Sequence, residues 1–113
     1  MQQALSELEN TLGLETARAM ATIFADEWRR QARVIAAADL PPEGPERRAK
    51  RQAAHDLVTN AGSMGFNDLS IAARRLEQAI LKGDALETAH AAAPIPALAD
   101  AAVAQLSHRY GPL

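Results

Sequence analysis

The chain has 113 residues, a formal net charge of −2 and no cysteine. That is enough for one globular domain, here taken as residues 1–113, and too few for a nucleotide-binding domain beside a second domain. It excludes disulfides, thiolate nucleophiles and Cys-ligated zinc, and it gives no electrostatic case for nucleic acid as the main partner. No apolar run approaches the roughly 18 residues of a membrane span, and the start Met1-Gln2-Gln3-Ala4-Leu5 lacks a signal-peptide pattern, so the expectation is a cytoplasmic protein. Alanine and leucine supply 26 and 13 residues, against 13 for Val, Ile and Thr together, which predicts an all-α fold. An alanine-rich core buries little area per residue, so the helices must approach closely, as in a bundle.

Breakers divide the sequence into about five helical pieces. A short first helix spans 2–11, with Leu5, Leu8 and Leu12 on one face, and Gly13 ends it. The second runs over 14–38, with Leu14, Ala17, Ala21, Phe24, Trp28 and Ile35 at helical spacing. Pro41, Pro42, Gly44 and Pro45 break the chain. The third helix begins near Pro45, where Glu43 and Glu46 suit the helix dipole, and ends at Gly62 or Ser63. Asn67 is the expected cap of the fourth, 68–82, whose buried stripe is Leu69, Ala72, Ala73, Leu76 and Ile80. Asp84 opens a turn or helix that Pro94 and Pro96 interrupt. The last helix, 97–109, presents Leu98, Ala101, Ala102, Gln105 and Leu106 along one side.

The third helix carries the candidate chemistry. At about 100° per residue, Ala53, Leu57, Ala61 and Met64 share one side, and His55 points roughly opposite. Arg51 and Arg48 lie below it on the same face, Gly62 lies above it, and Val58 and Thr59 flank it. Histidine side chains titrate near pH ~6.5, so a large fraction is neutral and nucleophilic at pH 7. Arginines on the same face would stabilise an acquired phosphoryl group by charge-assisted hydrogen bonds. The cations Arg47, Arg48, Lys50 and Arg51 sit close to a helix N-terminus, where the macrodipole opposes them by about 0.3–1 kcal/mol each. Such a cost suits a role in steering an acidic partner, although a solvated basic face also accounts for it.

The segment Ala54-His55-Asp56-Leu57-Val58-Thr59-Asn60-Ala61-Gly62-Ser63-Met64-Gly65-Phe66 resembles the signature of histidine-containing phosphotransfer (HPt) domains, roughly A-H-x-L-K-G-x-A-G-x-x-G-[LF]. Ala54, His55, Leu57, Ala61, Gly62, Gly65 and Phe66 match, and a further amphipathic helix follows with Leu76-Glu77 where the family often has Leu-Glu. The resemblance implies an antiparallel up-down four-helix bundle with a short additional N-terminal helix. It implies His55 as phosphoacceptor, taking a phosphoryl group from the aspartate of a response-regulator receiver domain and passing it to another. Arg48, Arg51, Gln52, Val58, Thr59 and Gly62 would form the phosphoryl environment and docking face. The partners implied are receiver domains and a hybrid histidine kinase, with a monomeric carrier, no ATP site, and no cofactor beyond Mg²⁺ on the receiver. Two positions depart from the pattern: Val58 stands for the usual lysine and Thr59 for the usual glycine, and Arg51 or Arg48 is the expected substitute cation.

Other readings remain open at this point. An HPt-like adaptor would bind a receiver or kinase without carrying phosphate. A plain helical interaction module would leave His55 incidental. A dimeric kinase phosphoacceptor fragment is disfavoured by the proline break and the short first helix. Asp84, Glu87 and His90 recur every three residues, but the alanine run and Pro94 argue against a metal site. His108 reads as a surface residue near a helix end, and Phe24 with Trp28 as core.

Overall fold

A computed structural model describes residues 2–36 and 44–113. Among the described residues there are six α-helices and no strand: α1 (Gln2–Leu12), α2 (Leu14–Ala36), α3 (Pro45–Ser63), α4 (Asn67–Lys82), α5 (Ala85–Ala92) and α6 (Ile95–Tyr110). The all-α expectation therefore holds. The expected end of the second helix at Ala38, the break at Pro41 and Pro42, and the dipole role of Glu43 lie outside the described residues. No helix of the described residues is long and apolar enough to cross a membrane.

One local expectation needs correction and two are met. Asn67 is the first residue of α4 rather than its cap; Phe66 holds the cap position, and no side chain bonds the exposed N–H groups. The segment after Asp84 is a full helix. Its Asp84 side chain accepts from the Glu87 N–H at 3.0 Å, and the Thr88 hydroxyl donates to the Asp84 carbonyl at 2.7 Å. Helix α5 stops at Ala92, before the two prolines, and Pro94 and Pro96 stand at the start of the next helix, α6. A first turn has no internal acceptor for its N–H groups, so proline there costs nothing in hydrogen bonds.

The end of α3 follows from Gly65. Its φ of 84° is a left-handed conformation that side chains disfavour. The Phe66 N–H donates to the Ala61 carbonyl at 2.8 Å and the Gly65 N–H to the Gly62 carbonyl at 3.1 Å. This is a Schellman stop, and Phe66 is the apolar residue that follows it and folds back on the core. Phe66 meets the ring of Trp28 edge-on at 5.3 Å, and Phe24 stacks on Trp28 at 6.0 Å. Trp28 is fully buried, as its core reading requires.

Helix α2 packs against α1, α3 and α6, and α4 packs against α3, α5 and α6. One contiguous core draws on α1 to α4 and α6, with Ala91 and Ala92 of α5 at its edge. Alanines at the interfaces (Ala17, Ala21 and Ala25 on α2, Ala53, Ala54 and Ala61 on α3) are buried and let backbones approach. The stripes predicted for α3 and α4 are buried as expected. That of α2 is buried at Ala17, Ala21, Trp28 and Ile35, with Phe24 packed on the core and only Leu14, 65% exposed, outside it; that of α6 is shifted, with Ala101 and Gln105 exposed. The inner side of α6 is instead Ile95, Ala99, Ala102, Val103, Leu106 and Tyr110. A stripe one residue off is indistinguishable in an alanine-rich helix, where both sides carry small apolar residues.

Away from the α3–α4 pair, α1 is tied to α6 by Arg109. Its guanidinium donates to both Glu9 carboxylate oxygens at 2.8 and 2.9 Å and to the Ser6 hydroxyl at 3.1 Å. The hydrogen bond to Glu9 holds the Arg109 guanidinium above its ordinary pKa, burial opposing.

Candidate functional site on the α3–α4 face

Helices α3 and α4 form an antiparallel pair, as their cross-contacts show. Arg47 bonds the Ile80 carbonyl, His55 meets Glu77, and the Ser70 hydroxyl donates to the Val58 carbonyl at 2.8 Å. As the α3 number rises, the α4 number falls. Gly62 is what permits the approach near the turn: a Cβ there would lie 3.2 Å from the Ser70 hydroxyl oxygen. Glycine within a helix costs about 1 kcal/mol relative to alanine, and close packing against Ser70 is the compensating reason.

His55 stands on this pair as the sequence predicts, with its side chain 58% exposed. Its Nδ1 lies 2.8 Å from Glu77 Oε2. A carboxylate can only accept, so Nδ1 carries the proton of this hydrogen bond. In the neutral imidazole that leaves Nε2 as the nitrogen with a free lone pair. A cleft of about 240 Å³ beside the ring is lined by Arg51, Gln52, His55 and Glu77. An imidazole oriented by a carboxylate, with its second nitrogen open beside a cationic side chain, is equipped to attack an electrophilic, anionic group.

The residues predicted around His55 divide by role. Arg48 and Arg51 are exposed, and neither side chain has a hydrogen bond or ion pair among the described residues. Gln52 donates to Asp56 Oδ1 at 2.8 Å, so its amide is engaged along its own helix. Thr59 is exposed, whereas Val58 is half-buried and packs on the core. Gly62 lies against Ser70. The basic cluster is not one solvated face. Arg47 crosses to the Ile80 carbonyl at the C-terminal end of α4, where a cation is favoured, and Lys50 is nine-tenths buried. Of the cluster, Arg48 and Arg51 stay exposed, and Arg51 lines the cleft beside the histidine.

Sequence reasoning assigned Glu77 no role. A signal was nonetheless present. In an antiparallel pair joined by the turn Met64–Phe66, residues about equally far from the turn lie side by side. His55 is nine residues before Met64 and Glu77 eleven after Phe66. Away from this face, Asp84 is spent on capping α5, and among the described residues no group of three or more His, Asp or Glu is placed to hold a metal. Comparisons with protein-family models, with curated proteins and with solved structures find no match to the chain.

Proposed function

We propose that this protein is a histidine phosphotransfer carrier of the HPt type, relaying a phosphoryl group between aspartates of receiver domains through phosphohistidine at His55. In this reading α2, α3, α4 and α6 are the four helices of an up-down bundle, and α1 is the additional N-terminal helix. The observation that carries it is the contact between His55 Nδ1 and Glu77, which leaves Nε2 outward.

The chemistry follows from that geometry. Nε2 attacks the phosphorus of an aspartyl phosphate. The N–P bond forms as the bond from phosphorus to the carboxylate oxygen breaks, and the aspartate leaves as a carboxylate. No proton moves: Nδ1 keeps its hydrogen, the ring becomes cationic, and the Glu77 carboxylate stabilises that charge through the hydrogen bond it already accepts. Arg51, lining the cleft, is the nearest candidate to take the part of the lysine that Val58 replaces. Return of the phosphoryl group to a second aspartate is the same step reversed. Any Mg²⁺ belongs to the receiver. Val58 and Thr59 favour a second reading, an HPt-like adaptor that binds a receiver or kinase without carrying phosphate, because neither side chain supplies a cation.

The test is transfer of radiolabelled phosphate from a panel of phosphorylated receiver domains to wild type and to His55→Gln. Acid-labile, base-stable label on the wild type and none on the variant is expected. Binding without label on either protein would replace the carrier with the adaptor.

A further inference from the structure

The exposed side of α3 around His55 is polar: Arg48, Arg51, Gln52 and Thr59. A protein that docks here needs apolar area at the centre of the contact, and beside His55 α3 offers only the half-buried Val58. Helix α4 does. Ile71, Arg74, Gln78 and Leu81 follow one another at spacings of three, four and three, which aligns them in one row on a helix. All four are exposed, Ile71 at 52% and Leu81 at 61%. Glu77 is three residues after Arg74 and four before Leu81, so the row runs alongside the partner of His55. The other exposed large apolar residues among those described, Leu12, Leu14, Ile23 and Leu86, lie on α1, α2 and α5 rather than on α3 or α4.

We infer that the row Ile71, Arg74, Gln78 and Leu81 is the docking face for the protein that delivers the phosphoryl group, an inference that rests on the function proposed above. Charge selects that occupant. Arg74, like Arg48 and Arg51, has no hydrogen bond or ion pair among the described residues, so the α3–α4 pair carries three unpaired exposed cations, of which Arg51 lines the cleft beside the imidazole. The acids on this face are already engaged, Glu77 with His55 and Asp56 with Gln52. The donor must bring an aspartyl phosphate, and hence an anionic surface, to Nε2. Arg74 then meets that acidic rim, while Ile71 and Leu81 cover apolar side chains at either end of the row.

The test uses the full chain in three forms: wild type, I71S/L81S and R74E. Each is labelled from a phosphorylated receiver domain and, separately, from phosphoramidate, which is too small to need a docking face. Because all substituted side chains are exposed, thermal unfolding should stay at the wild-type midpoint. Transfer from the receiver is expected to fall about tenfold or more in both variants at sub-saturating donor, and R74E is expected to lose most of the salt dependence of the rate. Labelling by phosphoramidate stays at the wild-type level, and L14S, equally exposed on α2, transfers normally. Wild-type transfer retained in both variants would overturn the inference and leave the carrier function standing. Label on the wild type from phosphoramidate but from no receiver would overturn the assignment of the donor. A wild-type dimer that I71S/L81S dissolves would assign the row to a second copy instead. No label on His55 from either source would remove the proposed function itself.

Discussion

Two carboxylates reach across the molecule to a nitrogen base on another helix, and they differ in what they leave open. Glu9 on α1 and Arg109 on α6 form a closed set: the guanidinium is forked onto both carboxylate oxygens and also reaches Ser6. Both side chains are about four-fifths buried. Glu77 on α4 and His55 on α3 form an open set: one hydrogen bond to Nδ1, a mostly exposed ring, and a cleft beside it lined by Arg51. The first arrangement ends in itself and serves to hold α1 against the body. The second orients a group whose other nitrogen still needs a partner. Distance is alike in the two, so it does not distinguish structure from function. The exposure of the base does, 22% for the Arg109 side chain against 58% for His55.

Exchanging the readouts is the strongest way to break this comparison. Glu9→Ala is expected to lower stability by about 1–2 kcal/mol in urea unfolding, because it leaves a mostly buried guanidinium without its acceptor. Phosphotransfer by that variant should match the wild type. Glu77→Ala should do the reverse: transfer slowed about tenfold, with stability lowered by less than about 1 kcal/mol, because the His55 end of the contact is exposed although the Glu77 side chain is only 23% so. Nitrogen-15 NMR of the His55 ring would sharpen the point, since loss of Glu77 should reduce the population protonated at Nδ1. Equal losses of stability in both variants would erase the distinction.

A smaller effect is expected at Arg51. Arg51→Ala should slow transfer about threefold, in keeping with one exposed charge near the phosphoryl group, whereas Lys82→Ala should leave the rate unchanged. Equal effects of the two would show only that net positive charge matters. The smallest expected change is at Gly62. Alanine gains about 1 kcal/mol of helix propensity but presses a Cβ on Ser70, and overpacking costs about 1–3 kcal/mol, so Gly62→Ala should lose about 1 kcal/mol net. Ser70→Ala in the same chain, which removes the hydroxyl oxygen that the new Cβ meets, should recover part of the loss. A G62A variant more stable than wild type would mean that Ser70 moves aside freely.

Much of the His55 face was visible in the order of residues. The apolar side of α3 is set by Ala53, Leu57, Ala61 and Met64, and His55 falls opposite by helical geometry alone. The turn at Gly65 and Phe66 was also visible, because a left-handed backbone position admits few residues besides glycine. Helix α6 was not seen so well: its prolines looked like breakers, and its alanines permit two nearly equivalent inner faces. The basic cluster misled for a related reason. A string of like charges reads as one surface, but Arg47 and Lys50 point toward α4 and the interior while Arg48 and Arg51 do not.

The sequence by itself determined that the chain is helical, where α3 begins and ends and where α4 ends, and that His55 is exposed on α3. These depend on propensity, capping and periodicity, which act over a few residues. Only the tertiary structure decided that Glu77 holds Nδ1, that Ser70 fills the space Gly62 leaves, and that Glu9 closes on Arg109. Each of these joins residues on different helices, so each depends on the register and separation of packed helices. Local preferences do not encode that register; it is set when the core side chains of both helices interlock.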